Sequence, residues 1–237
     1  MISGTLAAQL LKTSRTRGVV MLLLAVAASA AIATAAPGLL AGRKDATHTT
    51  IEAAITLGTA IAYLLGVSIS AGDRQHGMTR TLLLIQPRRV RYLGSCLAAA
   101  AIAGCLAGVL TAATAVLARQ LTASAPSAVD SALTITGGAA AGAGYAVLGL
   151  ALGVLIPNQI GAASTGLLYT LVAEPLISQQ SYEVYLKLPG GAREALVRHT
   201  SASHHIPAQP VGLITLGVWA ALFTVAAVLV YVRRDTP

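Results

Sequence analysis

The chain has 237 residues, of which 55% are hydrophobic and only 10% charged, and its mean hydropathy is +0.73. A soluble domain carries about a quarter of its residues as charges, so the composition places this chain in lipid. The formal net charge of +8 does not indicate nucleic acid, because the basic residues flank apolar runs and one Phe and one Trp are too few for base stacking. Anionic headgroups or an acidic protein partner suit it better.

At the N-terminus Ile2, Leu6 and Leu10 recur every four residues, and Lys12, Arg15 and Arg17 follow. The pattern predicts a short helix over residues 1–17 lying in the cytoplasmic interface. Residues 12–17, then VVMLLLAVA, then Ala33-Thr34-Ala35 resemble a signal peptide with its cleavage site. With Met1 retained, the expectation is an uncleaved first span. Six runs are long enough to cross the hydrocarbon core, which takes about 20 mainly apolar residues. They are residues 18–40, 53–71, 92–118, 131–156, 159–178 and 211–232. All are too long and too poor in alternation to be barrel strands. The predicted fold is an all-α polytopic membrane protein of six transmembrane helices, a single domain over 1–237 with no internal repeat.

Between the second and third runs lies GDRQHGMTRTLLLIQPRRVRY, residues 72–92, where Arg74, Arg80, Arg88, Arg89 and Arg91 outweigh the carboxylate of Asp73. A loop this basic stays in the cytoplasm. Six spans put both termini on its side. That side then holds Lys12, Arg15, Arg17, these five arginines, Arg233 and Arg234, ten cations in all. The other side holds six: Arg43, Lys44, Arg119, Lys187, Arg193 and Arg198. The asymmetry predicts cytoplasmic termini, with Arg88 and Arg89 inside and His204 outside.

The third and fourth runs carry Gly104/Gly108, Gly138/Gly142 and Gly149/Gly153, each at four-residue spacing. Such faces let helices approach closely in lipid, and packing within the chain explains them better than a dimer interface. Cys96 and Cys105 fall on opposite faces of one predicted helix and read as packing residues. In the fifth run Glu174, followed by Pro175, lies about 24 Å along the helix from Asn158, at the outer rim where water or a headgroup would solvate it. An intramembrane carboxylate is nonetheless a functional candidate. The outer loop, 179–209, contains the breaker Leu188-Pro189-Gly190-Gly191 and a short predicted helix from Ala192 to Arg198, and it is a candidate to dip back into the outer leaflet. His199, His204 and His205 in that loop match no metal-site spacing. GAGYAV at 142–147 follows no strand and lacks the third glycine of a dinucleotide fingerprint. The chain has no GxxxxGK[ST], HExxH, GxSxG or CxxC motif, so it holds no ATP in the P-loop manner and is read as a non-enzyme.

The basic segment resembles the permease subunits of type-2 ATP-binding-cassette exporters, particularly small actinobacterial ones. The likeness rests on Asp73 at the end of the second span, Gly77, the run Leu82, Leu83 and Leu84, and the step Pro87-Arg88-Arg89 into the third span. GLALGVLIPNQIGAASTGLLYTLVAEPLIS, residues 149–178, resembles the family's short cytoplasmic turn between spans four and five and its Glu-Pro end. Arg233-Arg234-Asp235 is also similar, so the likeness extends over the whole chain. Three departures are Met78 where threonine is common, Asp73 in place of glutamate, and Gly94-Ser95 for Ala-Lys.

The resemblance implies a bacterial plasma-membrane exporter with two cytosolic ATPase subunits, which would hold ATP and Mg, and a second permease, identical or paralogous. Residues 72–91 would be the coupling segment, with Arg80, Arg88 and Arg89 pairing with acidic groups of the ATPase and Leu82–Leu84 giving apolar contact. The substrate seam would run along the second and fifth spans, past Thr56, Thr59, Tyr63, Ser68, Ser164, Thr165, Tyr169, Thr170 and Glu174. Such a lining suits an amphipathic compound, a hydrophobic peptide or a lipid. Two other classes stay open: a secondary transporter, which needs coupling-ion carboxylates near the midplane, and a non-transporting anchor for a signalling partner.

Overall fold

The computed structural model describes residues 46–75, 89–122, 127–156, 158–197 and 208–233, together with residues 21, 24, 25, 27 and 28. The expected interfacial helix, most of the 18–40 span, the basic segment from Gly77 to Arg88, and His199, His204 and His205 lie outside the described residues.

The described chain is helical and contains no strand. Its elements are α1 (Ala46–Gln75), α2 (Arg89–Thr122), α3 (Ala128–Leu155), α4 (Gln159–Leu168), a π-helical turn (Tyr169–Ala173), α5 (Glu174–Gln180), α6 (Tyr182–Leu186), α7 (Pro189–Val197) and α8 (Gln209–Arg233). Five stretches are long and apolar enough to cross a bilayer: Ala54–Ala71, Val90–Leu117, Ala128–Leu155, Gln159–Gln180 and Gln209–Arg233. They coincide with five of the six expected spans. Of the sixth, Met21, Leu24, Ala25, Ala27 and Ala28 are helical.

Helix α3 is the centre of the bundle and packs on α1, α2, α7 and α8. It can do so because six glycines, at 137, 138, 142, 144, 149 and 153, leave its surface nearly bare on several sides. A Cβ at Gly142 would meet the carbonyl oxygen of Gly104, and one at Gly108 would meet that of Gly138. The two glycine pairs therefore face one another across the α2–α3 contact. Gly149 and Gly153 turn instead toward α1, against Tyr63, Val67 and Ser70. All three predicted glycine pairs thus serve packing within the chain. Lipid offers no hydrophobic drive between helices, so this close backbone approach supplies the dispersion that holds them.

Local chemistry sets the helix ends. Ser127 accepts from the Asp130 N–H at 3.1 Å and starts α3. Pro157 pushes Ile156 to φ −97° and ψ 115°, which ends that helix. Asn158 Oδ1 then accepts from the Ile160 N–H at 3.0 Å, so α4 begins after three connecting residues. Further on, Pro175 offers no N–H to the preceding turn and its ring crowds the carbonyl four residues back. The helix widens there, and the Glu174 N–H donates to the Tyr169 carbonyl, an i to i−5 bond.

The segment expected as an outer loop is largely helix. Beyond α5, α6 and α7 form a hairpin that turns at Lys187 and Leu188 and returns between α3 and α8. The short helix predicted from Ala192 begins three residues earlier, and all of it from Pro189 to Leu196 is buried. Trp219 Nε1 donates to the Lys187 carbonyl at 2.9 Å. Trp219 lies about 15 Å along α8 from Gln209 at 1.5 Å per residue. The hairpin therefore reaches well down the bundle; both arms are helical and the returning arm, α7, is covered by protein, so its backbone is satisfied at that depth.

Candidate functional site

Two groups of residues were predicted to carry function. Of the docking group, Gly77, Arg80, Leu82, Leu83, Leu84, Pro87 and Arg88 lie outside the described residues, while Asp73 belongs to the last turn of α1 and Arg89 is the first residue of α2. The ends that these two mark lie side by side. Ile69 near the end of α1, Tyr92 and Leu93 near the start of α2, Val154 near the end of α3 and Ala227 of α8 share one apolar cluster, with Tyr231 packed against it. One end of the bundle thus gathers Arg89, Arg91 and Arg233 around the two points where the basic segment leaves and rejoins the helices.

The proposed seam residues separate into three environments. Thr59 and Tyr63 are buried on α1. Thr59 donates to the carbonyl of the partly exposed Thr56 at 2.9 Å. Tyr63 donates to the Ala162 carbonyl at 2.6 Å, and its ring covers Gly166 so closely that a Cβ there would enter it. Tyr63 is a tie between α1 and α4, with no free hydroxyl for a ligand. Ser164 and Thr165 are exposed on the outer face of α4, and both hydroxyls donate to the Gly161 carbonyl, at 3.2 and 2.7 Å. Tyr169 and Glu174 fall in the third environment, and Glu174 there belongs to a buried polar cluster.

Glu174 is 1% exposed. Its Oε1 accepts from the Tyr145 hydroxyl at 3.1 Å, and its Oε2 stands 3.6 Å from Arg193 Nη1. The Arg193 guanidinium lies over the Tyr145 ring, 5.9 Å from its centre. Gly190 presses its backbone against the same carboxylate, where any Cβ would collide with Oε2 and Cδ. Tyr169 opens the π-turn just before Glu174, and its carbonyl accepts from the Glu174 N–H. The residues come from the π-turn and α5, from α3, and from α7, so the cluster exists only when the hairpin is in place.

The expectation that Glu174 is solvated at the outer rim is corrected. Tyr145 is seventeen residues beyond Ala128 in α3, about 25 Å from that end and about 15 Å from Leu155. The carboxylate thus meets the middle third of the central helix, and the returning arm of the hairpin shields it from water. Removing one partner of a buried pair leaves an uncompensated charge and costs about 3–5 kcal/mol. Arg193, Tyr145 and Gly190 were not among the predicted site residues. The usable signal was the setting of Arg193, in PGGAREAL, where small residues surround a charge as they do in packed helices.

Cys96 is buried and Cys105 half-buried, and neither is in a disulfide. Among the described residues no group of His, Cys, Asp and Glu is placed to hold a metal ion.

Compared with known proteins, the chain matches no family model and no curated protein. The fold itself defines a multi-pass α-helical membrane protein with a buried ionic cluster in its interior.

Proposed function

We propose that this chain is the transmembrane permease subunit of an ATP-driven exporter, moving an amphipathic or hydrophobic substrate outward with a separate cytosolic ATPase and a second permease, identical or paralogous. The observation that carries the reading is the bundle end where α1 stops and α2 starts side by side, flanked by Arg89, Arg91 and Arg233. A segment rich in arginine and leucine strung between two adjacent helix ends is suited to dock on a soluble partner, and positive charge keeps it in the cytoplasm. Bacterial plasma membrane is the proposed location. The ATPase would bring ATP and Mg, for which this chain offers no phosphate loop.

Purification of the chain from native membranes tests this directly. The expected result is a co-purifying ATPase subunit and ATP hydrolysis stimulated by substrate. Purification with neither would remove the exporter reading. An ion-coupled transporter is the second reading, favoured by the buried carboxylate of Glu174 against the middle third of α3, and proton-driven uptake into vesicles without ATP would select it.

Orientation has its own test. In a background lacking Cys96 and Cys105, an impermeant thiol reagent applied to whole cells is expected to label a cysteine at position 204 and not one at position 88. Labelling at 88 from outside would invert the arrangement.

A further inference from the structure

Glu174 and Arg193 belong to two pieces of chain that the fold can separate. Glu174 opens α5 directly after the π-turn, whereas Arg193 lies in α7, the returning arm of the hairpin. Between them the regular helix is broken at Ser181, which is extended at φ −151° and ψ 101° between α5 and α6, and again at Lys187 and Leu188, where α6 turns into α7.

The surface on which α7 rests is smooth. Ala192 and Ala195 lie against Gly212 of α8, and Leu196 lies against Gly137 of α3. Small side chains and bare backbone form shallow ridges, and helices packed in this way can slide by shear. Hydrogen bonds also tie the hairpin together and to its neighbours. Trp219 and Gln209 donate to the Lys187 and Leu196 carbonyls at 2.9 and 3.2 Å, and Tyr182 reaches Glu194 at 3.4 Å. Water can replace each of these bonds as the hairpin moves.

The contact between Glu174 and Arg193 is different, because both charges are held out of water, at 1% and 8% side-chain exposure. A movement that returns Arg193 to water leaves the Glu174 carboxylate buried with only the Tyr145 hydroxyl, so the intact pair resists that movement, and neutralising either partner removes the resistance.

We propose that the Glu174–Arg193 pair is a latch that holds the α6–α7 hairpin down between α3 and α8, and that the hairpin lifts as one piece when the pair parts. In the lifted state Gly137 of α3 and Gly212 of α8, now covered by Leu196 and Ala192, become accessible. The latch is a property of this chain alone and does not depend on what drives the movement, so it stands apart from the exporter reading.

The test uses the full chain in membrane vesicles made permeable to a hydrophilic maleimide, carrying Cys105→Ser and Ala192→Cys and keeping native Cys96. Ala192 is 0% and Cys96 3% exposed, so both thiols begin protected. Glu174→Gln and Arg193→Gln are each expected to raise the labelling rate at position 192 at least tenfold while Cys96 stays protected. The exchanged pair, Glu174→Arg with Arg193→Glu, is expected to return position 192 to within threefold of the parent. Unchanged labelling at 192 in both single variants overturns the latch, and so does an exchanged pair that labels as fast as they do. An equal rise at Cys96 overturns it too, since the whole bundle has then loosened. Failure of both single variants to accumulate in the membrane makes the pair a folding requirement and likewise overturns the latch.

Discussion

Reversing Arg88 and Arg89 together to Glu is expected to abolish ATP-driven transport and cut the ATPase recovered with the chain at least tenfold, while leaving the chain inserted in the membrane. Arg89 opens α2 at the bundle end where α1 finishes, so the change falls where a soluble partner would dock. In a desolvated contact with acidic groups, truncating or reversing a charge costs about 2–5 kcal/mol or more. Against anionic headgroups each arginine is worth only about 1 kcal/mol. The difference in scale separates the two roles. Comparison of ATPase recovery, hydrolysis rate and vesicle transport with the parent would settle it, and unchanged values in all three would reduce both arginines to lipid anchors.

Gly142→Leu should be the most damaging single change in the bundle that leaves every charge in place. A Cβ at 142 meets the Gly104 carbonyl and the backbone of Gly108, none of which can rotate aside as a side chain would. Overpacking a core ordinarily costs about 1–3 kcal/mol through shifted side chains, and here two helix backbones must part, so the upper end of that range or beyond is expected. Gly217→Ala is the control. Gly217 has open space around its would-be Cβ, and replacing a helical glycine there is expected to be neutral or to stabilise by up to about 1 kcal/mol. Thermal unfolding of the two variants in detergent checks both. A wild-type midpoint for Gly142→Leu would mean that the α2–α3 seam does not depend on close backbone approach.

Five spans were legible in the sequence because crossing lipid demands an unbroken apolar run, and that demand leaves a local trace. The glycine pairs were legible as packing faces, although which face meets which emerged only from the three-dimensional arrangement. The site was much harder to read. Counting 1.5 Å per residue from Asn158 placed Glu174 at the rim, but the count follows one helix and takes no account of a hairpin that arrives later in the chain to cover it. Arg193 entered the sequence reading as one more outer-loop charge, since nothing local to residue 193 announces a partner nineteen positions earlier. Tyr63 was chosen for its hydroxyl, and that hydroxyl proves to be spent on the Ala162 carbonyl. In each case the residue type was conspicuous and its partner, distant in the chain, was not.

The six glycines of α3 also make the bundle lopsided in how it can evolve. At these positions every possible mutation adds atoms and none removes them, so random change presses in one direction, toward forcing the helices apart. A core of large side chains can answer an enlargement with a reduction at the facing position. Where Gly108 and Gly138 already meet backbone to backbone, no smaller residue exists to make room. Variation is therefore expected to collect on the outward faces of α4, the π-turn and α8, where Leu168, Val172, Leu213 and Leu222 are exposed, while α3 is held nearly fixed by its own lack of substance.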